Sequence, residues 1–415
     1  MPPSIRIIGS LNVDMVSVTP RFPGPGETLT STSFSIHAGG KGANQAVACG
    51  RLSRPKPTTS TTSTSTSTSA INPAHIHVEM LGATGQLDSH FPTLLQPTLH
   101  ASGVHTSRIR QIPDAHTGVA VIIVDSSAGG ENRILYSPGA NYAGMQCVPE
   151  VLDLSLSLSP AVPDVLVLQA EIPIETVVGI LRGVSGWRAA RSSGGEEGKG
   201  IGADVEVVFN PAPAPEGGLP VDVYAAVDHL VMNETECELM APAGLVEKGP
   251  GQETAATSPQ RRDRIARHFH ALGVRHVIVT LGAKGVWYSA GDAGRDVQER
   301  EQGEGGGGGA DAAAEADADG GWVRFVGEVP AAKVERVVDT TAAGDTFVGG
   351  YSVQIARWKE ARRAAGRGGE QLTVEEKKER YGSAMERAVM WATRASARCV
   401  ERNGAMDSIP WEDEI

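Results

Sequence analysis

Short, mostly apolar segments recur along this chain, and several are followed by sequence with helical character. They lie at residues 5–9, 165–168, 205–209, 230–232 and 277–280. Strands that are apolar throughout are typical of parallel sheets whose two faces are both covered by helices. The repeated strand–helix units therefore predict an α/β fold with three α/β/α layers and a mainly parallel central sheet.

Further strand-like segments at residues 28–36, 118–125 and 133–136 have little helical sequence between them. They break the strand–helix alternation, and such short connections are typical of antiparallel neighbours. We therefore predict a second, small sheet of antiparallel strands, drawn from about residues 15–37 and 117–137.

Low-complexity sequence accounts for much of the length of 415 residues. Residues 58–69 are an unbroken run of 12 Ser and Thr, and five consecutive glycines occupy 305–309. Such segments carry too little apolar surface to order themselves. We predict a single domain over residues 1–415, with inserted surface loops at about 53–73, 190–203, 292–321 and 361–373.

Composition narrows the class of protein. The net charge of −12 argues against nucleic acid or an anionic membrane as a partner. No apolar run approaches the roughly 20 residues that a membrane-spanning helix needs. The 4 cysteines are far apart in the sequence and form no Cys-x-x-Cys pair. We therefore expect a cytoplasmic protein with reduced cysteines.

Residues 338–347 carry the most specific chemical signal. A β-branched run leads through small residues to Gly344 and Asp345, and an apolar, helix-like segment follows at 347–355. The unpaired N–H groups at a helix N-terminus bind anions. An acid beside such a group is what phosphoryl transfer to an alcohol requires, since the acid accepts the hydroxyl proton. A simple turn capped by Asp345 is the structural alternative.

Polar residues at the N-terminus predict a second part of the same site. Asn12 and Asp14 follow the first strand, two residues apart and hence on one face. In open α/β sheets ligands bind at this carboxyl edge. The glycine-rich segment 39–42 precedes a predicted helix at 43–50, whose start carries Lys41 and Asn44. An amide and a carboxylate at this spacing suit adjacent sugar hydroxyls.

Four motifs in order resemble the ribokinase-like (PfkB) carbohydrate kinases. They are Gly-Ser-x-Asn-x-Asp at residues 9–14, Pro-Gly-Glu-Thr at 25–28, Gly-Gly-Lys-Gly-Ala-Asn-Gln-Ala at 39–46, and Asp-Thr-x-Ala-Ala-Gly-Asp-Thr-Phe at 339–347. The resemblance runs from about residue 5 to residue 411, and the third motif points to the members that phosphorylate ribose. It implies that the small sheet is a lid over the cleft and the contact of a homodimer.

The resemblance implies a sugar site and a catalytic group. The residues expected to bind D-ribose are Asn12, Asp14, Gly40, Lys41, Asn44, Glu171 and Asp345. Asp345 is the expected base on the 5-hydroxyl, and the backbone of Ala342, Ala343 and Gly344 is expected to stabilise the transferred phosphoryl group. A helix-start acid is the alternative interpretation of Glu171.

The resemblance also implies ATP and Mg²⁺ as cofactors. The expected nucleotide residues are Asn233, Thr280, Leu281, Gly282, Ala283, Lys284, Gly285, Gly344 and Thr393. Thr393 stands where the family usually has Asn or His beside adenine, which departs from its pattern. Glu236 is expected to act on Mg²⁺ through water, and a carboxylate serving its own helix dipole is an equally good interpretation.

A K⁺ site is the last implied feature. The expected ligands are Asp339, Thr341, Cys399, Arg402, Gly404 and Ser408, mainly through backbone carbonyls. The expected reaction is ATP-dependent phosphorylation of D-ribose to D-ribose 5-phosphate. Two alternatives stay open: the same chemistry on deoxyribose or a nucleoside, and a sugar-binding regulatory protein without catalysis. An intact Asp345 argues against the second, because binding alone needs no base there.

Overall fold

The computed structural model describes residues 2–57, 75–127, 131–157, 162–193, 205–245, 258–292, 313–316, 323–368 and 371–415. The predicted Ser/Thr loop at 58–69 lies outside this part of the chain, as do 194–203 and most of 292–321. No helix among the described residues is long and apolar enough to cross a membrane.

Strands and helices alternate as the apolar pattern predicts. The strands are β1 Ser4–Ile8, β2 Asn12–Thr19, β3 Ser33–Gly39, β4 His77–Gly85, β5 Val104–Ile112, β6 Gly118–Asp125, β7 Glu131–Ser137, β8 Val165–Leu168, β9 Glu206–Phe209, β10 His229–Asn233, β11 His276–Thr280, β12 Val286–Gly291, β13 Ala313–Ala316 and β14 Val323–Val329. The helices are α1 Lys41–Arg51, α2 Gln96–Ala101, α3 Ala140–Ala143, α4 Pro149–Leu156, α5 Ile174–Ser193, α6 Glu234–Met240, α7 Pro259–Ala271, α8 Ala343–Ala364, α9 Val374–Tyr381 and α10 Ser383–Val400.

The central sheet has the strand order β13-β14-β12-β11-β10-β9-β8-β1-β4-β5. The pairings from β5 through to β11 are parallel, and those among β11, β12, β14 and β13 are antiparallel. The mainly parallel sheet of the prediction is therefore confirmed, with an antiparallel edge. The carboxyl ends of the parallel strands meet along one edge, and the candidate site lies there.

Successive strand residues point into two separate apolar layers. In β8, Val165 and Val167 pack with α1, α8 and α10, whereas Leu166 and Leu168 pack with α5 and α7. Alternate side chains of a strand point to opposite faces, so a strand apolar throughout is buried on both. The three-layer prediction is confirmed.

The small sheet has the order β3-β2-β6-β7. Its outer pairs, β2 with β3 and β6 with β7, are antiparallel, but β2 and β6 are parallel. The prediction of antiparallel strands was therefore wrong for the central pair. β2 follows β1 and β6 follows β5, and these core strands run in the same direction, so both lid strands leave the core in one direction. Nothing in the strand pattern itself reveals this direction.

Two predicted inserts begin inside helices. Helix α8 continues to Ala364, into the range 361–373, and α5 continues to Ser193, into the range 190–203. Long-range contacts hold these polar helix ends: Arg363 pairs with Asp164, and Arg188 donates to the Val205 carbonyl at 2.6 Å. These long-range contacts stabilise helices in segments whose composition alone predicts loops.

Part of the glycine-rich range 292–321 is also structured. Residues Ala313–Ala316 form β13, which pairs antiparallel with β14 at the edge of the central sheet. A strand edge offers unpaired backbone donors and acceptors to any extended segment. Backbone pairing of this kind needs no apolar side chains, so it is invisible in the composition.

Candidate active site

The glycines before α1 let the helix start lie directly against the end of β1 and the lid. A Cβ atom on Gly39 would lie 2.2 Å from an oxygen of Asp14, and one on Gly42 would lie 2.6 Å from the Ser10 nitrogen. Gly40 has a φ of +92°, which other residues rarely adopt. These close approaches bring Lys41 to the carboxyl edge of the sheet.

Asp345 is held by two amides from α1. Asn44 Nδ2 donates to one carboxylate oxygen and Gln45 Nε2 to the other, each at 2.9 Å. Lys41, Asn44 and Gln45 occupy positions i, i+3 and i+4 of the helix and therefore share one face. Asn44 Oδ1 is buried and has no hydrogen-bond partner in the described residues, so it is free to accept from a ligand. The structure thus brings together Lys41, Asn44 and Asp345, which are all predicted site residues.

The residue directly before helix α8, Ala342, has a left-handed backbone with φ 59°. Thr346 is the first residue to make a helical bond, to the Ala342 carbonyl at 2.8 Å. The N–H of Ala343 donates to the Thr340 carbonyl at 3.3 Å. In the described residues the N–H groups of Gly344 and Asp345 donate to no acceptor, and the space beside Gly344 is open. This helix start can therefore bind an anion.

Glu171, which lies three residues after the end of β8, contacts the start of α1. Its carboxylate accepts from Ser10 Oγ at 2.6 Å and from the Lys41 N–H at 3.1 Å, and Asn12 Nδ2 lies at 3.5 Å. Asn141 holds Asn12 in place, because its Nδ2 donates to Asn12 Oδ1 at 2.7 Å. Sequence reasoning placed Asn12 and Glu171 correctly at this edge but missed Ser10 and Asn141.

Charges of both signs are concentrated here. Burial, followed by the charges of Glu171 and Asp345, raises the pKa of Asp14 from 3.8 to about 7. Burial also raises the pKa of Glu171. Burial by itself would lower the pKa of Lys41, but the carboxylates of Asp345, Glu171, Glu236 and Asp14 outweigh it and raise that pKa. Lys41 is therefore a cation surrounded by acids, at a point where charged or hydroxylated ligands can bind.

Of the predicted nucleotide residues, Asn233 and residues 280–285 lie at the ends of β10 and β11, whereas Gly344 and Thr393 lie in α8 and α10. Asn233 and Glu236 form a capping box on α6, since Asn233 Oδ1 accepts from the Glu236 N–H and Glu236 Oε2 from the Asn233 N–H, both at 2.8 Å. Glu236 therefore lies in the first turn of α6 and caps it, which is compatible with both interpretations of this carboxylate. Residues 280–285 form a tight turn in which the Leu281 N–H donates to the Gly285 carbonyl. Gly282, Ala283 and Lys284 are exposed, whereas Leu281 and Gly285 are buried.

Thr393 is buried in α10, and its hydroxyl donates to the Val389 carbonyl at 2.8 Å. This bond stays within the helix, as is usual for a helical threonine. Its hydroxyl hydrogen is therefore already used within α10.

The predicted K⁺ residues converge around the segment before α8. Asp339 accepts from the N–H groups of Thr341 and Gly404 at 2.9 and 3.0 Å. Cys399 Sγ lies 3.6 Å from the Thr341 carbonyl oxygen and 3.1 Å from Ser408 Oγ. Burial by itself would raise the pKa of Asp339, but hydrogen bonds from the Thr341 hydroxyl and from the N–H groups of Thr341 and Gly404 outweigh it and lower that pKa, which favours the carboxylate. The side chain of Arg402 instead contacts Glu414 at 3.1 Å.

Sequence reasoning missed a set of supporting residues, namely Ser10, Gln45, Tyr136, Asn141, Gln169 and Asn210. Gln45 could have been found, because it lies one helical turn after Lys41. Gln169 and Asn210 directly follow strands β8 and β9, a position that also marks them. Ser10 lies two residues before Asn12, inside the first of the four motifs, which also marks it. Asn141 and Tyr136, whose hydroxyl donates to the Glu171 carbonyl at 3.2 Å, come from distant elements, and their spacing carries no signal.

The model of the pfkB family carbohydrate kinases matches residues 3–157 and 317–412. The chain belongs to this family. A ribokinase from Schizosaccharomyces pombe is 31% identical over 98% of this chain and 95% of its own length. A deoxyribokinase from Salmonella typhi is 30% identical over 84% of each protein.

The fold agrees with this assignment. The structure of an Arabidopsis thaliana ribokinase complexed with ribose and ATP superposes with a TM-score of 0.65. The alignment covers 100% of this chain and 97% of that one at 22% identity. At this identity the likeness concerns the fold, a mixed α/β core sheet with a separate small sheet. The fold prediction and the family resemblance are both confirmed.

Proposed function

We propose that this protein is an ATP:D-ribose 5-phosphotransferase, which makes D-ribose 5-phosphate and ADP. The observation that carries the proposal is the position of Asp345. Its carboxylate is fixed by Asn44 and Gln45 beside the free N–H groups at the start of α8. A base next to an anion site is the arrangement that phosphoryl transfer to an alcohol needs.

Ribose would lie between Asn12, Asp14 and Gly40 on one side and Lys41, Asn44 and Glu171 on the other. Two of these groups still have free acceptors: Asn44 Oδ1, and the carboxylate of Asp14, which makes no hydrogen bond to the described residues. Sugar hydroxyls donate to such acceptors and accept from the Lys41 ammonium. The resulting contacts would orient the 5-hydroxyl toward Asp345.

In the proposed reaction the 5-oxygen attacks the γ-phosphorus of ATP, and its proton passes to Asp345. The bond between the γ-phosphorus and the β–γ bridging oxygen breaks in line, and ADP leaves. The N–H groups of Gly344 and Asp345 would stabilise the negative charge on the transferred group, since they are fixed before the reaction begins. Asn233 and residues 280–285 would hold the nucleotide, with Thr393 near adenine.

Mg²⁺ fits the phosphate side of this site. The described residues contain no group of three metal-ligating side chains. Mg²⁺ in nucleotide sites is held mainly by phosphate oxygens and water, with one or two carboxylates. Glu236 uses only Oε2 in its capping box, so its other oxygen could bind water of the metal. When bound, Mg²⁺ would neutralise charge on the β- and γ-phosphates.

K⁺ fits the place where two segments meet, one with Asp339 and Thr341 and the other with Gly404 and Ser408. Together these segments offer one carboxylate, backbone carbonyls and a hydroxyl. A cation there would touch the backbone that leads into α8 but neither substrate. Replacing KCl with NaCl at fixed ionic strength should therefore slow turnover by about ten- to a hundredfold through loop geometry. Asp339→Asn should abolish the difference between the two salts. Equal wild-type rates in both would exclude a K⁺ site.

We also propose a homodimer formed through the lid. Ile36, Met15, Val121 and Leu135 pair in register across its four strands and so share one face. Leu135 is 66% exposed, which is unusual for a residue in an apolar row. We further propose that the protein works in the cytoplasm, where its four cysteines would stay reduced.

Asp345→Asn tests the reaction. It keeps the size of the side chain but removes the proton acceptor, so kcat should fall by about 10²–10⁴-fold. The dissociation constants for ribose and ATP should change little. ADP release and isothermal titration on the same preparation measure both. A kcat within a few-fold of wild type would contradict the assignment of the base.

The relative that is a deoxyribokinase favours one rival acceptor. The rival differs from ribose only in the 2-hydroxyl. An ADP-release assay over D-ribose, 2-deoxyribose and nucleosides should give the highest kcat/KM for D-ribose. A higher kcat/KM for 2-deoxyribose would identify 2-deoxyribose as the substrate instead of ribose. The proposed phosphoryl transfer would stay the same.

A further inference from the structure

Gln45 lies at the centre of a chain of buried amides behind Asp345. Its Nε2 donates to Asp345 Oδ1 at 2.9 Å and to Asn210 Oδ1 at 3.1 Å. Its Oε1 accepts from Gln169 Nε2 at 2.6 Å. Both N–H groups of this side chain therefore donate to protein groups, and its oxygen accepts from a third.

The orientation of these amides is fixed by acceptors that cannot donate. Asn210 Nδ2 donates to the Val231 carbonyl at 2.9 Å, so Asn210 presents its oxygen to Gln45. Asp345 as a carboxylate also only accepts. Gln45 must therefore turn its NH₂ group toward both. These acceptors fix the orientation of the Gln45 and Asn210 amides, and therefore the position of each of their amide hydrogens.

The chain also reaches the phosphate side of the site. Asn210 Nδ2 lies 3.5 Å from Glu236 Oε2, so Gln45 and Asn210 together connect Asp345 to the carboxylate nearest the proposed metal. Residues from α1, α6 and α8 and from the segments directly after β8 and β9 meet in this one network. Gln169 Oε1 is buried and has no hydrogen-bond partner among the described residues, but the polar atoms of Gln45 and Asn210 are paired. Paired buried groups of this kind rigidify the groups that they contact.

We infer that Gln45 is a positioning residue that orients Asp345 for proton transfer, an inference that rests on the proposed function. Gln45 has 0% of its surface exposed, so no substrate can touch it. It acts on the reaction only through the carboxylate it holds. Of the two donors to Asp345, Asn44 faces the sugar with a free oxygen, whereas Gln45 is entirely committed to the protein.

Gln45→Met tests this inference. Methionine has a similar length and no polar group, so it removes the donor to Asp345 while filling the space. Displacement of a catalytic group by ~1 Å can cost on the order of 10²-fold in rate, so we expect kcat to fall by ten- to a hundredfold. KM for ribose and for ATP should stay within about threefold, because Gln45 contacts neither.

A double-mutant cycle separates positioning from a general structural effect. In the Asp345→Ala background no carboxylate is left to orient, so adding Gln45→Met should lower the residual kcat by less than about twofold. An undiminished loss in that background would show that Gln45 acts elsewhere, and the inference would be wrong. If Asp345→Asn alone leaves kcat unchanged, it is the proposed function that fails.

Two variants guard against loss of folding. Val47→Ala creates a cavity on the same helix without touching Asp345, so it should lower the melting temperature with kcat within about threefold of wild type. If Gln45→Met does not fold, Gln169→Met serves instead, because it leaves the bond to Asp345 but frees the far end of Gln45. We then expect a smaller fall in kcat at constant KM. A fall in kcat for Val47→Ala equal to that of the Gln45 or Gln169 variant would overturn the inference.

Discussion

The two halves of the candidate site are built in different ways. On the sugar side, the groups that matter are joined by side chains far apart in sequence: Asn44 and Asp345 are separated by 301 residues. On the nucleotide side the contacts are local. Asn233 and Glu236 cap one helix three residues apart, and Leu281 bonds Gly285 within one turn.

This difference suggests how each half responds to change. The sugar side depends on the exact approach of α1 to β1 and α8, so a displaced backbone there moves several functional groups together. The nucleotide side consists of self-contained backbone motifs, so a change in one leaves its neighbours in place. Substitutions of equal size should therefore have unequal effects.

A pair of glycine variants gives the largest contrast. On the sugar side, Gly42→Ala puts a Cβ 2.6 Å from the Ser10 nitrogen and 2.7 Å from the Gly9 carbonyl carbon. Helix α1 must shift, which costs about 1–3 kcal/mol of stability. Because that helix carries both amides that hold Asp345, kcat should fall by about 10²-fold.

Gly282→Ala is the matched variant on the nucleotide side. It meets nothing within 4 Å, and only its φ of +56° is unfavourable. The strain should cost about 1–2 kcal/mol and raise KM for ATP a few-fold, with kcat nearly unchanged. Thermal unfolding and steady-state kinetics of both variants measure the contrast. Equal effects on kcat would remove the distinction between the halves.

Asp14→Asn sharpens the description of the sugar side through its pH dependence. Asp14 ionises at 3.8 in the unfolded chain and at about 7 in the fold. Between these values the unfolded chain releases the proton first, so the folded state loses stability as pH rises, and the loss is complete above about pH 7. Asparagine has no proton to release. The Asp14→Asn variant should therefore unfold at a higher temperature than wild type at pH 8 and at a similar temperature near pH 4.

The same variant should weaken substrate binding. A hydrogen bond to a charged group contributes about 1.5–3 kcal/mol, so KM for ribose at pH 8 should rise by at least tenfold. Calorimetric scans over pH and a KM titration test both parts. A melting temperature at pH 8 below that of wild type would mean that Asp14 is stabilising as a carboxylate, contrary to its raised pKa.

The smallest effect is expected for Asn233→Ala. This change removes the side-chain cap of α6, which costs about 0.5–2 kcal/mol. KM for ATP should rise a few-fold, and kcat at saturating ATP and Mg²⁺ should stay close to wild type, because the bonds of Asp345 are untouched. A fall in kcat as large as that of Gly42→Ala would show that the two halves move as one.

Much of this protein follows from its sequence alone. Apolar strands such as residues 165–168 indicate a doubly covered parallel sheet, because only burial on both faces tolerates apolar side chains at consecutive positions. The spacing of Asn233 and Glu236 predicts a helix start, since a capping box is complete within four residues. The segment at 339–345 likewise carries its own turn and helix start. These features are local, and short-range sterics and hydrogen bonds are enough to specify them.

Tertiary structure decided the rest. The parallel pairing of β2 with β6 follows from where two core strands end, and the strand sequences do not encode it. The placement of Gln45 against Asp345 needs α1 and α8 to pack together through Gly349, whose Cβ would lie 2.4 Å from that of Ala48. A buried amide finds its partner only after the backbones around it are in place. Helical spacing can therefore show which side Gln45 faces, but only the packed core determines what it holds.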